Sequence, residues 1–280
     1  MAENPKMRNP FSRPALAMLL LMAFSIHAAA QINGPGGTSL KLNNDPGGPA
    51  PRHELEGTWV GPIEARVFTE TPQFTPLGQE RFKLNKPEAA FKVSGSNDPY
   101  IRNCDPMGFP RSMVFESRGV PVGEMFRMTF ASLPGRMLVL SQFQQTWRQI
   151  WTDGRPLPTN VGGRQKGAPD TRYYGYSVGH WQADNVFVVD TVGLDDSTWL
   201  NKAGYPHTVE SHVQERFTRS DHNDLQLTIT VDDPQLYVKP FVLATLNFKW
   251  LPDQSLDQGE WLCIPSQVLD YLKTIGDQAN

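Results

Sequence analysis

From residue 113 onward, apolar and polar positions alternate in short runs separated by Gly, Pro, Asn and Asp, the period-two signature of half-buried strands. The runs MVFES, GEMFRMTFA and RMLVLSQFQQTWRQIWTDGR come first, with LPGR as a turn between the last two. Taken as one long strand, the last run puts Met137, Val139, Phe143, Trp147 and Trp151 on one face. Leu138, Leu140, Gln142, Gln144 and Arg148 fall on the other. YYGYSVGHWQADNVFVVDTVGL predicts a hairpin turning at 183–185, and VESHVQERFTRSD with LQLTITVDDP a second turning at 222–224. FVLATLNFKWLPD and GEWLCI are expected to close the sheet, and ELEGTWVGPIEARVF to open it. Helix is predicted in two places. Within residues 75–92, Thr75 can cap and Pro76 suits the first helical position; the second is the C-terminal SQVLDYLKTIGDQ. Residues 94–112, 154–172 and the stretch LDDSTWLNKAGYPHT read as polar loops, the second long enough to expect a role at a site. With 24 Pro and 23 Gly the chain has many turns and few long helices. Hairpin-connected strands at ~8–15-residue spacing predict an antiparallel barrel or sandwich.

The first thirty residues follow a different pattern. A polar stretch with Lys6, Arg8 and Arg13 precedes the apolar run ALAMLLLMAFSI, and Ala28, Ala29 and Ala30 precede Gln31. This is the order of a cleavable export signal, and the run is shorter than the ~20 residues that span a bilayer. The expected organisation is a signal peptide over 1–30, a flexible leader over 31–52, rich in Gly, Pro and Asn, and one β-rich domain over 53–280. The expected compartment is the bacterial periplasm or the exterior, with no stable membrane insertion after cleavage. Losing Lys6, Arg8, Arg13 and Glu3 takes the 26 basic and 29 acidic residues to 23 and 28, a net charge of −5. A mildly acidic chain without a basic cluster is a poor partner for nucleic acid. The only cysteines, Cys104 and Cys263, are expected to form one disulfide in an oxidising compartment, worth about 3–5 kcal/mol in the chain-entropy account.

Two resemblances sharpen the fold. Gly57-Thr58-Trp59, early in the first strand, resembles the G-x-W signature of lipocalin-like (calycin) barrels, in which the Trp plugs the closed end. The Arg that accompanies it in lipocalins comes from a late strand, and the last two strands here contain none. The blocks RNCDPMGFPRSM, WRQIWTDGRPLP, GHWQADNVFVVDTVGL, TWLNKAGYPHTVESHVQERF and TVDDPQLYVKP resemble an uncharacterised family of exported bacterial β-rich proteins, over residues 54–263. Together these resemblances imply export and an all-β, antiparallel, lipocalin-like barrel or strongly curved sheet with short peripheral helices, and they carry no activity with them.

No Walker A loop, dinucleotide fingerprint, G-x-S-x-G elbow, H-E-x-x-H or paired C-x-x-C is present, and no cofactor or metal is expected. The remaining chemistry rests on ionisable residues in strands and loops. Glu215 shares a strand face with Val209, Val213 and Phe217. If that face is inward, burial suits its carboxyl to acid–base work; the alternative is a buried pair with Arg148 or Arg216. Asp190 shares a face with Val186, Val188 and Val192 and is a second such carboxyl, or a strand-end Asp that organises the next loop. His207 is the natural base near neutral pH, or a solvated loop residue. Arg148 is an anion or oxyanion stabiliser, or an Arg lying over exposed Trp or Leu. Trp147, Trp151, Tyr174, Tyr176, Trp181 and Trp199 line a pocket or fill a core. The first expectation is a cofactor-independent lyase, isomerase or hydrolase acting on a small organic molecule or glycoside. Glu215, Asp190, His207 and Arg148 would do the chemistry, beside Trp147, Trp151, Tyr176, Trp181 and Trp199 as ligand-binding residues. The second is a lipocalin-like cup for a small apolar ligand, and the third an assembly partner of the envelope.

Overall fold

The computed structural model describes residues 32–33, 39–40, 45, 47–67, 71–87, 95–114, 127–142, 144–253 and 262–276, with backbone alone at 32–33, 39–40, 62–67 and 275–276. The signal over 1–30, Phe143, residues 115–117 of MVFES and residues 259–261 of GEWLCI lie outside these residues.

Strands β1 (Ile32–Asn33) and β2 (Ser39–Leu40) form a small antiparallel ribbon. The domain itself is a closed barrel. Its strands are β3 (Gly57–Val67), β4 (Arg127–Leu133), β5 (Arg136–Ser141), β6 (Thr146–Trp151), β7 (Tyr176–Ala183), β8 (Val186–Val192), β9 (His212–Arg219), β10 (Asp224–Asp232) and β11 (Phe241–Trp250), and each pairs with its neighbours in chain order until β11 meets β3. An alternating ring closes only with an even number of strands, so nine require one parallel contact. It falls at β6–β7, a short seam pairing Ile150 with Ser177 and Trp151 with Val178. The wholly antiparallel expectation is corrected at this seam. A parallel pair needs a crossover instead of a tight turn, and this is what the Pro/Gly-rich stretch 152–175 provides.

A second correction concerns the long run expected as one strand. It is the β5–β6 hairpin, with Ser141 opposite Thr146 and the turn residues Gln144 and Gln145 at φ 59° and 46°. The even-length connection reverses the inside–outside phase. Met137 and Val139 share the barrel interior with Arg148 and Ile150, while Trp147 is 62% exposed on the outer face.

Alternation places Val213, Glu215, Phe217 and Arg219 of β9, and Leu225, Leu227, Ile229 and Val231 of β10, inside. With Phe130, Phe187, Leu246 and Phe248 they form one core, each large side chain contributing about 1.5–3 kcal/mol on burial. Gly179 of β7 faces this core, where a Cβ would come within 2.5 Å of the Phe187 ring and 2.7 Å of Ile150.

One end of the barrel is plugged by Trp59, whose Nε1 donates to the Leu55 carbonyl at 3.0 Å. Trp250 meets it edge-on at 5.1 Å. The guanidinium of Arg219 covers both rings at 4.9 and 5.3 Å and donates to the carbonyls of Glu54 and His222. The Arg over the Trp thus comes from the end of β9. The segment before His53 also engages this end: Asn223 donates to the Asp45 carbonyl, the His222 N–H to Gly48, and Arg52 pairs with Asp184 at 2.9 Å.

Helix α1 (Pro76–Leu84) starts as expected, with the Thr75 hydroxyl accepting from Gly78 N–H at 3.1 Å. Helices α2 (Pro99–Asn103) and α3 (Pro265–Tyr271) lie near each other, joined by the disulfide Cys104–Cys263 with a Cα–Cα distance of 5.5 Å. No helix among the described residues is long and apolar enough to cross a membrane.

Candidate functional site

Four adjacent strands each send one polar side chain into the barrel interior: Arg148 from β6, Ser177 from β7, Thr191 from β8 and Glu215 from β9. Arg148 Nη1 and Nη2 donate to the two Glu215 oxygens at 2.9 and 2.7 Å. Nη2 also lies 3.2 Å from Ser177 Oγ and 3.4 Å from Thr191 Oγ1, and the two hydroxyls bond each other at 2.8 Å. Glu215 is wholly buried and Arg148 nearly so. Such a pair is held by its bidentate geometry against a large desolvation cost. It also ties β6 to β9 across the short parallel seam. The ring of Phe109 stacks on the guanidinium at 3.7 Å. Arg148 Nε has no hydrogen-bond partner among the described residues, and an unpaired buried donor is costly unless something fills it.

Phe109 belongs to a cap, residues 95–114, laid against the barrel: Met107, Phe109 and Met113 are part of the core, and Phe109 N–H donates to Tyr173 O at 2.8 Å. A second buried pair organises this cap. Arg111 makes a bidentate contact with Asp98, 2.8 and 2.5 Å, while Asp98 Oδ1 also caps α2 through Tyr100 N–H at 3.0 Å. The Arg111 guanidinium lies 5.6 Å from the rings of both Tyr100 and Trp199, and its Nε likewise has no partner among the described residues.

Two half-buried phenols connect these pairs. Tyr174 is hydrogen-bonded to Thr146 and lies within electrostatic reach of Arg148 and Tyr100. Burial pushes its phenol above the ordinary range, outweighing the Thr146 bond and the Arg148 charge. Tyr100 accepts from Gln144 Nε2 at 2.8 Å, and burial raises it too against the Gln144 bond and the charge of Arg111. Both remain protonated donors at neutral pH. Gln144 Oε1 accepts from Cys263 N–H at 3.3 Å, so the β5–β6 turn, α2 and the disulfide hold one another. The whole cluster holds two guanidiniums matched by two carboxylates, with donors in excess and aromatic walls.

The structure brings only Arg148 and Glu215 together out of the four residues expected to do chemistry. Asp190 lies on the outer face of β8 opposite Gln214, where His212 Nε2 sits 2.9 Å and Gln214 Nε2 3.0 Å from its Oδ1. The expected inward placement is corrected: sharing a face with valines does not make that face the inner one. His207 is wholly buried, not solvated. Its Nε2 is 2.9 Å from Thr198 Oγ1 and its Nδ1 3.2 Å from the Thr208 carbonyl, so both ring nitrogens are engaged. Burial holds its pKa below the ordinary 6.5, against the Thr208 bond and the nearby charges of Asp233, Asp196 and Asp195.

The expected aromatic set is dispersed. Trp151 is covered by the Arg155 guanidinium at 3.3 Å, Tyr176 by that of Arg172 at 4.0 Å, and Trp181 packs at a tilt against His53 and Phe187, both at 5.1 Å. Trp147 is exposed on the outer face. Of the set, Trp199 reaches the cluster through Arg111 and Tyr174 through Arg148. Sequence reasoning missed Asp98, Tyr100, Phe109, Arg111 and Gln144. The one available signal was the Ser-Asn-Asp-Pro start of a short helix at 96–99.

No protein-family model matches the chain, and no curated protein matches it.

Proposed function

We propose that this protein binds a small organic molecule outside the cytoplasm, at the end of the barrel where Arg148, Glu215, Tyr174 and Tyr100 converge under the 95–114 cap. The observation that carries the reading is the buried Arg148 Nε donor, unpartnered among the described residues, with the half-buried Tyr174 phenol within its electrostatic reach and Tyr100 next to Tyr174. Binding sites of this kind place a few convergent polar groups in an aromatic, largely preformed setting. The charge-matched interior and the disulfide-tied cap supply the preformed part, so little ordering cost accompanies binding. Export follows from the signal pattern of residues 1–30, and the Cys104–Cys263 disulfide supports an oxidising compartment.

Catalysis by proton transfer is the second reading. It is favoured by the buried Glu215 carboxylate and the protonated Tyr174 phenol, both within reach of Arg148. Binding ranks first because Glu215 is committed to Arg148, Asp190 faces outward, and His207 is engaged elsewhere.

The test is capture. Purified protein is incubated with an organic extract of bacterial cells and medium, passed through a desalting column and denatured, and the released compounds are read by mass spectrometry. Binding predicts a compound released unchanged at up to one equivalent, and a much smaller yield from Tyr174→Phe. A compound consumed in large molar excess, with a product appearing, establishes catalysis instead. No retained and no consumed compound removes both readings.

A further inference from the structure

Resting on the binding reading above, we infer that the ligand is an uncharged molecule with an aromatic or apolar body and an sp² oxygen, which accepts the Arg148 Nε–H. Charge and donor balance at the site set this ligand class. Each guanidinium at the site already holds its own carboxylate through two hydrogen bonds, Arg148 with Glu215 and Arg111 with Asp98. An anionic ligand would have to displace a buried carboxylate or sit beside it uncompensated. A cationic ligand would meet two guanidiniums whose matching acceptors are taken. Both cost several kcal/mol in a buried setting, and an uncharged ligand avoids either penalty.

The unspent hydrogen-bonding capacity is of one kind. Arg148 Nε and Arg111 Nε are donors only, and neither has a partner among the described residues. Such a surplus calls for acceptor oxygens on the ligand. A site built to donate rejects an analogue lacking the acceptor far more strongly than an apolar wall rejects a missing methylene. The rest of the surround is aromatic: Phe109 on Arg148 at 3.7 Å, and Tyr100 and Trp199 around Arg111. Planar rings suit such walls, where stacking adds to burial.

The experiment divides the same organic extract by ion exchange into neutral, acidic and basic fractions and offers each to wild-type protein and to Tyr174→Phe. Captured compounds are identified by tandem mass spectrometry, and the Arg Nε–H correlations are followed in a ¹⁵N-labelled sample. The expected result is capture at least about tenfold greater from the neutral fraction, a captured compound bearing a carbonyl-type oxygen, and a shifted Arg148 Nε–H signal. Tyr174-dependent capture mainly from the acidic or basic fraction overturns the assignment of ligand class while the site stands. So does a neutral compound without an sp² oxygen. Capture from no fraction, or capture indifferent to Tyr174→Phe, overturns the site itself.

Discussion

Replacing Glu215 by Gln leaves the Arg148 guanidinium charged inside the barrel with no counter-ion. The carboxylate it loses accepts two hydrogen bonds, at 2.9 and 2.7 Å, and is wholly screened from water. Ser177 and Thr191 stay within reach of Nη2 but carry no charge. Removing one partner of a buried pair costs about 3–5 kcal/mol, and at roughly 2–4 °C per kcal/mol for a domain of this size, Tm should fall by roughly 6–20 °C. The Arg148→Met, Glu215→Leu double variant removes both charges, and the Ser177–Thr191 hydrogen bond at 2.8 Å keeps those hydroxyls satisfied. It should be more stable than Glu215→Gln, with a coupling between the two positions of at least ~2 kcal/mol. Urea unfolding followed by tryptophan fluorescence and by circular dichroism supplies the values. Single substitutions costing under about 1 kcal/mol each and adding in the double variant would refute the reasoning, because the pair would then be behaving as a solvated surface bridge.

Other consequences are open to direct measurement. His207 is buried with its pKa below 6.5, so the unfolded chain takes up a proton that the folded one refuses. This contribution favours folding above pH ~6.5 and is progressively lost as pH falls towards the lower folded pKa. His207→Gln should flatten that limb of a stability–pH curve, and an unchanged slope would contradict it. The disulfide spans 159 residues, so reduction should cost about 4–5 kcal/mol in the chain-entropy account, read as a fall in Tm with reductant that Cys104→Ser does not show. A Cβ at Gly78 would fall 2.0 Å from the Leu236 carbonyl oxygen. Gly78→Ala should therefore lose about 1–3 kcal/mol despite alanine's helix propensity, and a gain in stability would show that α1 can shift away. Arg219→Met removes the buried guanidinium that donates to the part-buried Glu54 and His222 carbonyls and should cost about 1–3 kcal/mol, with a changed Trp fluorescence from Trp59 and Trp250.

Much of the barrel was legible because the period of two is local. The hairpins β7–β8 and β9–β10, the capped start of α1 and the cysteine pair all follow from residues near in sequence or from a two-member choice. Alternation shows which residues share a face, however, and leaves open which face is inside. Glu215 and Asp190 looked alike by that criterion, and the core took one while the outer face, half-buried, took the other. The β5–β6 turn was hidden because Gln144 and Gln145 adopt positive φ without Gly, Asn or Asp, and missing it put Trp147 and Arg148 on the wrong sides. The parallel seam is a property of the strand count of the whole ring. The cap residues Tyr100, Phe109 and Arg111 reach the site only through tertiary contacts, which no local pattern encodes.

The most direct test of the proposed site watches Arg148 itself. Its Nε–H correlation in a ¹⁵N-labelled sample, assigned by its loss in Arg148→Lys, reports whether that donor has an acceptor. The account predicts a discrete downfield shift when the captured compound is added, saturating with its binding and absent in Tyr174→Phe. A signal that stays in place while the compound binds would put the ligand elsewhere and contradict the assignment of this end of the barrel as the functional site.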